Sequence, residues 1–386
     1  MIPRTAAATL LRFARGYPVV VLTGPRQSGK TTLARATFPA KRYVSLENPD
    51  ERAFALDDPK GFLNRFPDGA VIDEAQHCPA LFSYIQTRVD AEGRPGVFVL
   101  TGSQNFNLIS TVTQSLAGRA GLVQLLPFSL GEVAAAGLRP PAIEPILLRG
   151  LYPPLYDRPV PSADWYANYV MSYLERDVRS IANAHDLNLF QRFLRLCAAR
   201  TGHLLNVSSL ATDCGVAHGT ARAWLGILEA SYICFMLHPF HRNFGKRLVK
   251  MPKLYFVDTG LAAALLGIHD EIQMATHPSR PALFETMVIG EFLKQRFNTG
   301  LASNLYFWRD NVGTEIDLVI EEGATATAIE IKSGQTVVPD FFSGLAKWTK
   351  YAGADGSTTS LVYGGEESYE RSGVSVVSWR DLSQPT

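Results

Sequence analysis

The sequence predicts an α/β protein that begins with a mostly parallel sheet and continues into a helical segment and a second α/β region. Over residues 1–130, helical stretches separate most of five apolar, β-branched runs, which is typical of a parallel sheet with helices on both faces. The pattern then turns helical up to about residue 255, and a helix, short strands and a hairpin follow from about residue 270. The five runs are YPVVVLTG, RYVSL, GAVIDEA, GVFVLTGS and LVQLLPFS.

A proline-rich stretch near residue 150 indicates a domain boundary. A length of 386 residues favours two or three domains, and we predict three, over residues 1–150, 151–255 and 256–386. Hydrophobic residues make up 46% of the chain and charged residues 19%, as in an ordinary globular protein. The formal net charge of +1 argues against a molecule whose whole surface binds polyanions, so local basic patches must decide that function.

The cysteines and the apolar runs predict a cytoplasmic protein that does not cross a membrane. The four cysteines form no CxxC pair, which favours reduced thiols over a zinc or redox site. The apolar runs are all shorter than the ~20 residues of a membrane helix. Residues 1–17 carry arginines and no acid, as a transit peptide does. The first strand follows at once, so we favour a short amphipathic helix there.

A glycine-rich loop between the first strand and the next helix has the spacing of a phosphate-binding loop. The segment GPRQSGKT matches G-x-x-x-x-G-K-[ST] at every fixed position and in the strand–loop–helix context that the motif requires. Backbone N–H groups and the positive end of the helix can surround a phosphate. Lys30 would reach the β- and γ-phosphates of ATP, and the Thr31 hydroxyl would bind Mg²⁺. The predicted ATP site comprises Gly24, Pro25, Arg26, Gln27, Ser28, Gly29, Lys30, Thr31 and Thr32.

Acidic and polar side chains follow two later strands of the same predicted sheet. Asp73 ends an apolar run about forty residues after the loop, where its carboxylate can hold Mg²⁺. Glu74 comes next and is the candidate to polarise the attacking water. Ser103 and Gln104 follow a third strand, where a polar side chain can contact the γ-phosphate. A helix cap is nearly as good an interpretation for these two residues.

Several motifs, in this order, resemble AAA-type ATPases fused to a C-terminal domain known as DUF4143. The ATPase motifs are GPRQSGKTT, VIDEAQ, LTGSQN and SLAGRA. SYLERDV and LYFVDTGLAAALL resemble the middle of that family, and WRDNVGTEIDLVIEEG with AIEIKSG resembles its end. The resemblance covers nearly the entire chain and implies that Arg119 is an arginine finger, often supplied by a neighbouring subunit. A helix-capping surface arginine is the alternative for Arg119. Arg176 is a stand-in for a second sensor arginine, and homo-oligomeric assembly stays open.

A helix–turn–helix rhythm followed by a strand predicts a winged helix within residues 151–255. Between Arg200 and Lys253 the basic residues outnumber the acids, mostly in HRNFGKRLVKMPK, where a wing would meet a DNA backbone. The helix HGTARAWLG would present three side chains outward: His218, Thr220 and Arg222. We predict contact with duplex or branched DNA without sequence specificity. The alternatives are a protein-binding winged helix and a lid over the nucleotide.

The hairpin GTEIDLVIEEGATATAIEIKSG places acids inside two strongly apolar strands. Asp317 lies in the first strand, and Glu330 and Lys332 point to the same face of the second. With Glu285 on the preceding helix, this set resembles the PD-(D/E)xK nuclease core, including branched-DNA resolvases. Asp317, Glu330 and Glu285 would bind Mg²⁺ or Mn²⁺, which prefer oxygen ligands, and Lys332 would orient the attacking water. The alternative is a salt-bridged surface hairpin, although burying carboxylates without a cation is costly.

The sequence therefore predicts a P-loop NTPase sheet of the AAA type, a winged-helix segment and an α/β restriction-endonuclease-like domain. The function that combines them is an ATP-hydrolysing, DNA-processing protein with a Mg²⁺-dependent nuclease-like domain. One alternative is a nucleotide-switched regulatory or defence protein with a non-catalytic interaction domain; another is an ATPase without a DNA partner. The predicted catalytic residues are Lys30, Glu74, Arg119, Asp317, Glu330 and Lys332.

Overall fold

The structure is a computed structural model that describes residues 1–103, 115–174, 187–240, 251–310, 312–352 and 357–382. The chain divides into two compact units, each made of several segments. The first unit comprises Met1–Phe128, Ala230–Tyr232 and Lys294–Ala302. The second unit comprises Ser129–Glu229, Ile233–Leu293 and Ser303–Thr386.

The first unit contains a five-stranded parallel sheet, which confirms the prediction from the alternating pattern. Its strands are β1 (Val19–Thr23), β2 (Arg42–Ser45), β3 (Ala70–Asp73), β4 (Phe98–Gly102) and β5 (Ala120–Gln124). Their order across the sheet is β2-β3-β4-β1-β5. The helices are α1 (Ala6–Gly16), α2 (Lys30–Thr37), α3 (Pro49–Asp57), α4 (Pro59–Asn64) and α5 (Leu81–Glu92). Because parallel strands end at one edge, the loops after β3, β4 and β1 lie side by side.

Helices cover both faces of this sheet, and β1 is therefore buried at every position. Successive strand residues point to opposite faces. Val19 and Val21 pack in a cluster with residues of α4 and α5, whereas Val20 and Leu22 pack with residues of α1 and α2. Burying each such side chain contributes roughly 1.5–3 kcal/mol. The loop after β1 therefore starts from a strand that is anchored on both sides.

The helices of the second unit lie before and between its strands in the sequence. They are α6 (Leu130–Ala135), α7 (Ile143–Arg149), α8 (Pro154–Asp157), α9 (Ser162–Tyr169), α10 (Leu187–Ala198), α11 (Val207–Cys214), α12 (His218–Ala230), α13 (Thr259–Leu265), α14 (Glu271–Thr276), α15 (Arg280–Asn298) and α16 (Ser343–Ala352). From Lys294 onward, the end of α15 belongs to the first unit. Within the described ranges, no helix is both long and apolar enough to cross a membrane.

One mixed sheet of nine strands runs through the second unit. Its strands are β6 (His203–Leu204), β7 (Cys234–Pro239), β8 (Lys253–Phe256), β9 (Leu305–Arg309), β10 (Glu315–Glu322), β11 (Thr325–Lys332), β12 (Ser357–Tyr363), β13 (Tyr369–Arg371) and β14 (Val374–Ser378). The order is β13-β14-β12-β11-β10-β9-β7-β8-β6. β10 and β11 form the predicted antiparallel hairpin, and β7 pairs with β9 in parallel. Strands from the helical segment and from the C-terminal region thus share one sheet.

A buried carboxylate ties the start of α13 to the segment before α8. Asp258 is the N-cap of α13 and accepts a hydrogen bond from Leu261 N at 3.0 Å. It also accepts hydrogen bonds from Leu151 N at 2.7 Å and from the Tyr166 hydroxyl at 2.5 Å. The side chain is only 3% exposed, so water cannot replace it as the acceptor. Each buried donor left without an acceptor would cost roughly 1–3 kcal/mol.

Replacing Asp258 by alanine should lower the free energy of unfolding by about 3 kcal/mol or more, because several buried donors lose their acceptor. Asp270→Ala is the matched control. Asp270 also caps a helix, through Gln273 N at 2.8 Å, but it is exposed, so its loss should cost about 1 kcal/mol. Urea unfolding followed by circular dichroism compares the two variants. Equal losses would show that burial adds nothing to this cap.

Candidate nucleotide site and acidic cluster

The loop between β1 and α2 has a backbone that only glycine can adopt at its first position. A Cβ on Gly24 would lie 2.0 Å from the carbonyl oxygen of Leu125, and the φ angle there is +149°. Gly29 precedes α2 with a φ angle of 90°. The first N–H groups of a helix have no partner within the helix, so those of α2 are available to a phosphate.

Lys30 is buried against its own loop. Its Nζ donates hydrogen bonds to the carbonyl oxygens of Gly24 at 3.0 Å and Pro25 at 2.8 Å. Burial lowers the pKa of Lys30 to about 8, although the charges of Glu74 and Asp73 act in the opposite direction. Charged phosphate oxygens are stronger acceptors than neutral carbonyls. A bound triphosphate would therefore give this ammonium better partners than the carbonyls of the loop.

Asp73, at the end of β3, gathers three hydroxyl groups. The Thr31 hydroxyl donates to it at 2.9 Å and the Tyr43 hydroxyl also at 2.9 Å; the Thr101 hydroxyl is the third donor. Burial, followed by the charge of Asp73, raises the pKa of Tyr43 to about 12, so this hydroxyl remains a donor. The structure thus brings together Thr31 and Asp73, the pair predicted to bind Mg²⁺. A carboxylate beside a hydroxyl is a donor set that suits this ion.

Glu74 follows Asp73 with a φ angle of +53°, which is uncommon for a residue other than glycine. The Ser103 hydroxyl donates to Glu74 Oε2 at 3.0 Å, and the Gln76 side-chain amide donates to the same oxygen. Residues in such sparsely populated conformations cluster at functional sites. The predicted residues Glu74 and Ser103 therefore lie together, at the ends of adjacent strands.

Arg119 lies on the surface of the first unit and is paired with Asp90. Its Nη2 lies 2.9 Å from Asp90 Oδ2, and its Nε lies 2.5 Å from Oδ1. Arg119 therefore has an acidic partner within its own chain, and its role as an arginine finger stays a prediction about a neighbouring subunit. Gln104 and Arg176 lie outside the residues that the structure describes.

The sequence did not indicate two residues that support the loop. Arg4 donates to the carbonyl oxygen of Ser28 at 2.7 Å. The Tyr232 hydroxyl lies 2.8 Å from the hydroxyl of Thr23, the last residue before the loop, and accepts from Gln124 at 3.3 Å. Neither residue belongs to a motif, and both lie far from the loop in the sequence. The positive φ angle of Tyr232, +56°, is visible only in the structure.

In the second unit, the hairpin of β10 and β11 carries an acidic cluster. Asp317 and Glu330 are each 9% exposed. Lys332 Nζ lies 2.5 Å from Glu330 Oε1 and 3.7 Å from Asp317 Oδ2, so the predicted common face of Glu330 and Lys332 is confirmed. Asp317 Oδ2 also accepts from Ile331 N at 2.8 Å. Burial, followed by the charge of Asp317, raises the pKa of Glu330 to about 8.

Glu285, on α15, belongs to the same cluster. Its Oε1 accepts hydrogen bonds from Lys253 Nζ at 3.1 Å and from the Tyr255 hydroxyl at 2.5 Å. Burial, followed by the charge of Asp317, raises the pKa of Glu285 to about 7. Lys253 also forms an ion pair with Glu315. The sequence indicated Glu285 but gave no sign of Lys253, Tyr255 or Glu315 at this site.

The structure changes the interpretation of Lys253. The sequence counted it with the exposed basic residues of the winged helix, but it is buried and ion-paired. Burial alone would lower the pKa of Lys253, but the charges of Glu285 and Asp317 outweigh burial and raise it. Lys253 is therefore part of the acidic cluster rather than of a DNA-facing surface.

The cluster has the features that a divalent cation requires. Glu330 Oε2 is buried and has no hydrogen-bond partner among the described residues. Burial first, and then the charge of Asp317, raises the pKa values of Glu330 and Glu285, and a nearby cation would favour their charged forms. Carboxylate oxygens are the ligands that Mg²⁺ and Mn²⁺ prefer. The buried carboxylates of Asp317 and Glu330 are therefore chemically suited to such an ion, and Glu285 is the third carboxylate of the predicted set.

The sheet order, the glycine-bounded loop and the Thr31–Asp73 contact define a P-loop ATPase site of the AAA type. Residues 16–134 match the AAA domain family, residues 140–272 match a domain of unknown function, DUF8612, and residues 280–382 match DUF4143. Two mycobacterial proteins are 35% identical over 338 residues, 86% of this chain and 74% of each relative. They are "Uncharacterized protein Rv2008c" of Mycobacterium tuberculosis and "Uncharacterized protein Mb2031c" of Mycobacterium bovis. The chain belongs to the same family as these two proteins.

Three solved structures are among those to which parts of this chain are similar. The Walker-type ATPase PABY2304 of Pyrococcus abyssi is 16% identical, with a TM-score of 0.46, over 69% of this chain and 96% of its own. AMPPCP-bound DnaA from Aquifex aeolicus is 12% identical, with a TM-score of 0.29, over 58% of this chain and 85% of its own. The Thermotoga maritima RuvB Holliday junction branch migration motor is 17% identical, with a TM-score of 0.27, over 60% of this chain and 85% of its own.

ATP binding should weaken as the pH rises above about 8. The pKa of Lys30 is about 8, and the negative charge of a bound triphosphate would raise it. Below this pH the ammonium is already charged, so affinity stays constant. Above it, binding must take up a proton, and affinity falls by up to about tenfold per pH unit. Calorimetry in buffers of different ionisation enthalpy measures the proton uptake.

Lys30→Arg is the control for this titration, because a guanidinium stays charged throughout the range. That variant should bind ATP with an affinity that does not change over the same pH interval. Wild-type protein that shows no proton uptake in alkaline buffer would contradict the assignment of Lys30 to the phosphates.

Proposed function

We propose that this protein hydrolyses ATP and acts on DNA, with a nuclease-like C-terminal region that uses Mg²⁺ or Mn²⁺. The observation that carries the ATPase half is the direct contact of Thr31 with Asp73 beside the loop that holds Lys30. The DNA half rests on the helix and strand order of residues 187–256 and on the acidic cluster. The proposed division into domains over 1–150, 151–255 and 256–386 follows these roles.

In the ATPase reaction, a water molecule attacks the γ-phosphorus, the bond to the β-phosphate oxygen breaks, and ADP leaves. Mg²⁺ would neutralise charge on the β- and γ-phosphate oxygens. The backbone N–H groups of the loop and the Lys30 ammonium hold these oxygens, and Thr31 and Asp73 are the residues for the ion. Glu74 holds the attacking water and accepts its proton, while the Ser103 hydroxyl fixes the orientation of Glu74. Arg119 of a neighbouring subunit would add positive charge.

The segment from α10 to β8 supports a winged helix that contacts DNA. Its elements follow the order α10, β6, α11, α12, β7 and β8, and β8 pairs antiparallel with both β6 and β7. On α12, His218 and Arg222 are exposed and Thr220 is half-buried. Helix residues of this kind can enter a groove while basic residues contact phosphates. The basic segment 241–250 lies outside the described ranges.

The acidic cluster supports hydrolysis of a phosphodiester. Asp317, Glu330 and Glu285 would hold the metal ion, which would supply Lewis-acid stabilisation of the negative charge on the phosphate. The Lys332 ammonium, paired with Glu330, would orient the attacking water beside the scissile phosphate. Branched DNA is the proposed substrate class because the cluster resembles that of branched-DNA resolvases.

A second candidate function is a nucleotide-switched regulatory or defence protein. Lys253 and Lys332 already neutralise part of the acidic cluster within the chain. A cluster held by its own lysines can serve as the core of a protein-interaction domain without cutting DNA. In that case ATP turnover would not respond to DNA.

ATP turnover should rise several-fold when duplex DNA or a four-way junction is added, and the stimulation should fall steeply with added salt because phosphate contacts release counterions. Lys30→Ala should abolish turnover with and without DNA, because the γ-phosphate loses its cation. Lys60→Ala, which removes an exposed lysine on α4, should behave as wild type. Release of phosphate is the measurement. Turnover that DNA leaves unchanged would favour the regulatory function.

Asp317→Asn should remove metal-dependent DNA cleavage by at least about a hundredfold while sparing ATP turnover, because one charged metal ligand is lost and the shape is kept. Asp340→Asn, at an exposed site of the same unit, is the matched control. Gel assays of linear and four-way-junction DNA with Mg²⁺ or Mn²⁺ measure the products. If wild-type protein cuts none of these substrates, the nuclease half of the proposal fails.

A further inference from the structure

Lys253, the first residue of β8, places a fixed positive charge inside the acidic cluster. Its side chain is 4% exposed. Nζ lies 3.1 Å from Glu285 Oε1 and also pairs with Glu315 Oε1. An ammonium this deeply buried is stable only when carboxylates surround it. Because it is covalently part of the chain, it cannot dissociate as a bound ion does.

The four carboxylates of the cluster divide between two lysines. Lys253 pairs with Glu285 and Glu315, and Lys332 lies beside the other two, Glu330 and Asp317. When a bound cation keeps all four carboxylates ionised, these and the two ammonium groups leave a formal charge of two minus for the cation to offset. One divalent cation neutralises that charge. A second would leave two positive charges in excess at a buried site, which is costly.

The two halves of the cluster differ in whether a buried carboxylate oxygen lacks a hydrogen-bond partner. Glu330 Oε2 is buried with no hydrogen-bond partner among the described residues, so the half around Lys332 has a vacant acceptor. In the other half, Glu285 Oε1 accepts hydrogen bonds from both Lys253 Nζ and the Tyr255 hydroxyl. Arg309 adds a contact to Glu315 at 3.2 Å, but it is 37% exposed and screened by water.

We propose that Lys253 occupies the place of a second metal ion, so that the cluster binds a single divalent cation on the side of Asp317 and Glu330. This inference rests on the metal-binding part of the proposed function. Lys253 is then a positioning residue, since it holds Glu285 and Glu315 in place and keeps further cations out. The lysine sets the number of metal ions without touching the reacting phosphate.

Removing this charge should open the second half of the cluster to a metal ion. Lys253→Met nearly keeps the length of the side chain but removes the buried ammonium that pairs with Glu285 and Glu315. The full-length variant should bind one Mn²⁺ more than wild type, and the first ion should bind about tenfold more tightly because a nearby positive charge is gone. Lys253→Arg keeps the charge and should bind the same number of ions as wild type.

Calorimetric titration with Mn²⁺, in the absence of nucleotide, measures the number of ions. Every variant keeps the nucleotide site unchanged, so any ion bound there contributes equally to all. Asp317→Asn on the wild-type background identifies the ion that belongs to the cluster. Lys253→Gln, which keeps a hydrogen-bond donor for Glu285, replaces Lys253→Met if circular dichroism shows that the methionine variant is unfolded.

An added ion in Lys253→Met or Lys253→Gln, with none added in Lys253→Arg, supports the proposal. A folded uncharged variant that binds the same number of ions as wild type, or fewer, overturns it. If wild type and Asp317→Asn bind equal numbers of ions, wild type holds no metal at the cluster and the metal-binding part of the proposed function fails instead. The two failures are therefore distinguishable.

Discussion

The nucleotide site of the first unit depends on the hydrogen bonds that the buried Lys30 ammonium donates to backbone carbonyls of its own loop. Taking this charge out of water is unfavourable, as the lowered pKa of Lys30 reflects. The loop holds the ammonium in this position because β1, from which the loop starts, is packed on both faces. The backbone of Leu125 also leaves no room for a side chain at Gly24. The loop and its buried ammonium are thus arranged to receive a polyanion. Preorganisation of this kind reduces the free energy lost when a ligand orders its site.

The second unit meets the opposite electrostatic requirement, since it concentrates negative charge. Asp317 and Glu330 lie on facing strands of a hairpin whose other residues form the core with Trp348. The strands cannot move apart without opening that core, so the carboxylates stay close despite their repulsion. Lysines offset part of this repulsion, but burial, followed by the charge of Asp317, still raises the pKa values of Glu330 and Glu285. A cation therefore has a reason to bind here.

The nucleotide site could be predicted from the sequence because its parts are local. Lys30 and Thr31 belong to one contiguous motif, and Asp73 ends a strand that must finish at the same edge of a parallel sheet. The common face of Glu330 and Lys332 followed from the two-residue period of a strand. These relations need no knowledge of distant packing.

Residues brought in by tertiary packing could not be found in this way. Lys253 looked like one more basic residue of a winged helix, because the sequence does not state that β7 pairs with β9 and so carries β8 into the same sheet. Tyr43 supports Asp73 from a neighbouring strand that carries no motif. Arg119 matched a family motif, yet the local contact with Asp90 was invisible because the two residues are 29 positions apart.

Residues Ala230–Tyr232 belong to the first unit, although the chain on either side of them belongs to the second. The end of α15, from Lys294 onward, also belongs to the first unit. There the Asn298 carbonyl accepts a hydrogen bond from the Thr9 hydroxyl at 2.7 Å. Recombination at a single crossover point near residue 128 would therefore not yield an ATPase module that can be exchanged between genes. An amino-terminal half transferred alone would lack Tyr232, whose hydroxyl contacts the hydroxyl of Thr23 just before the loop. Transfer of the complete first unit would therefore require both halves of the gene.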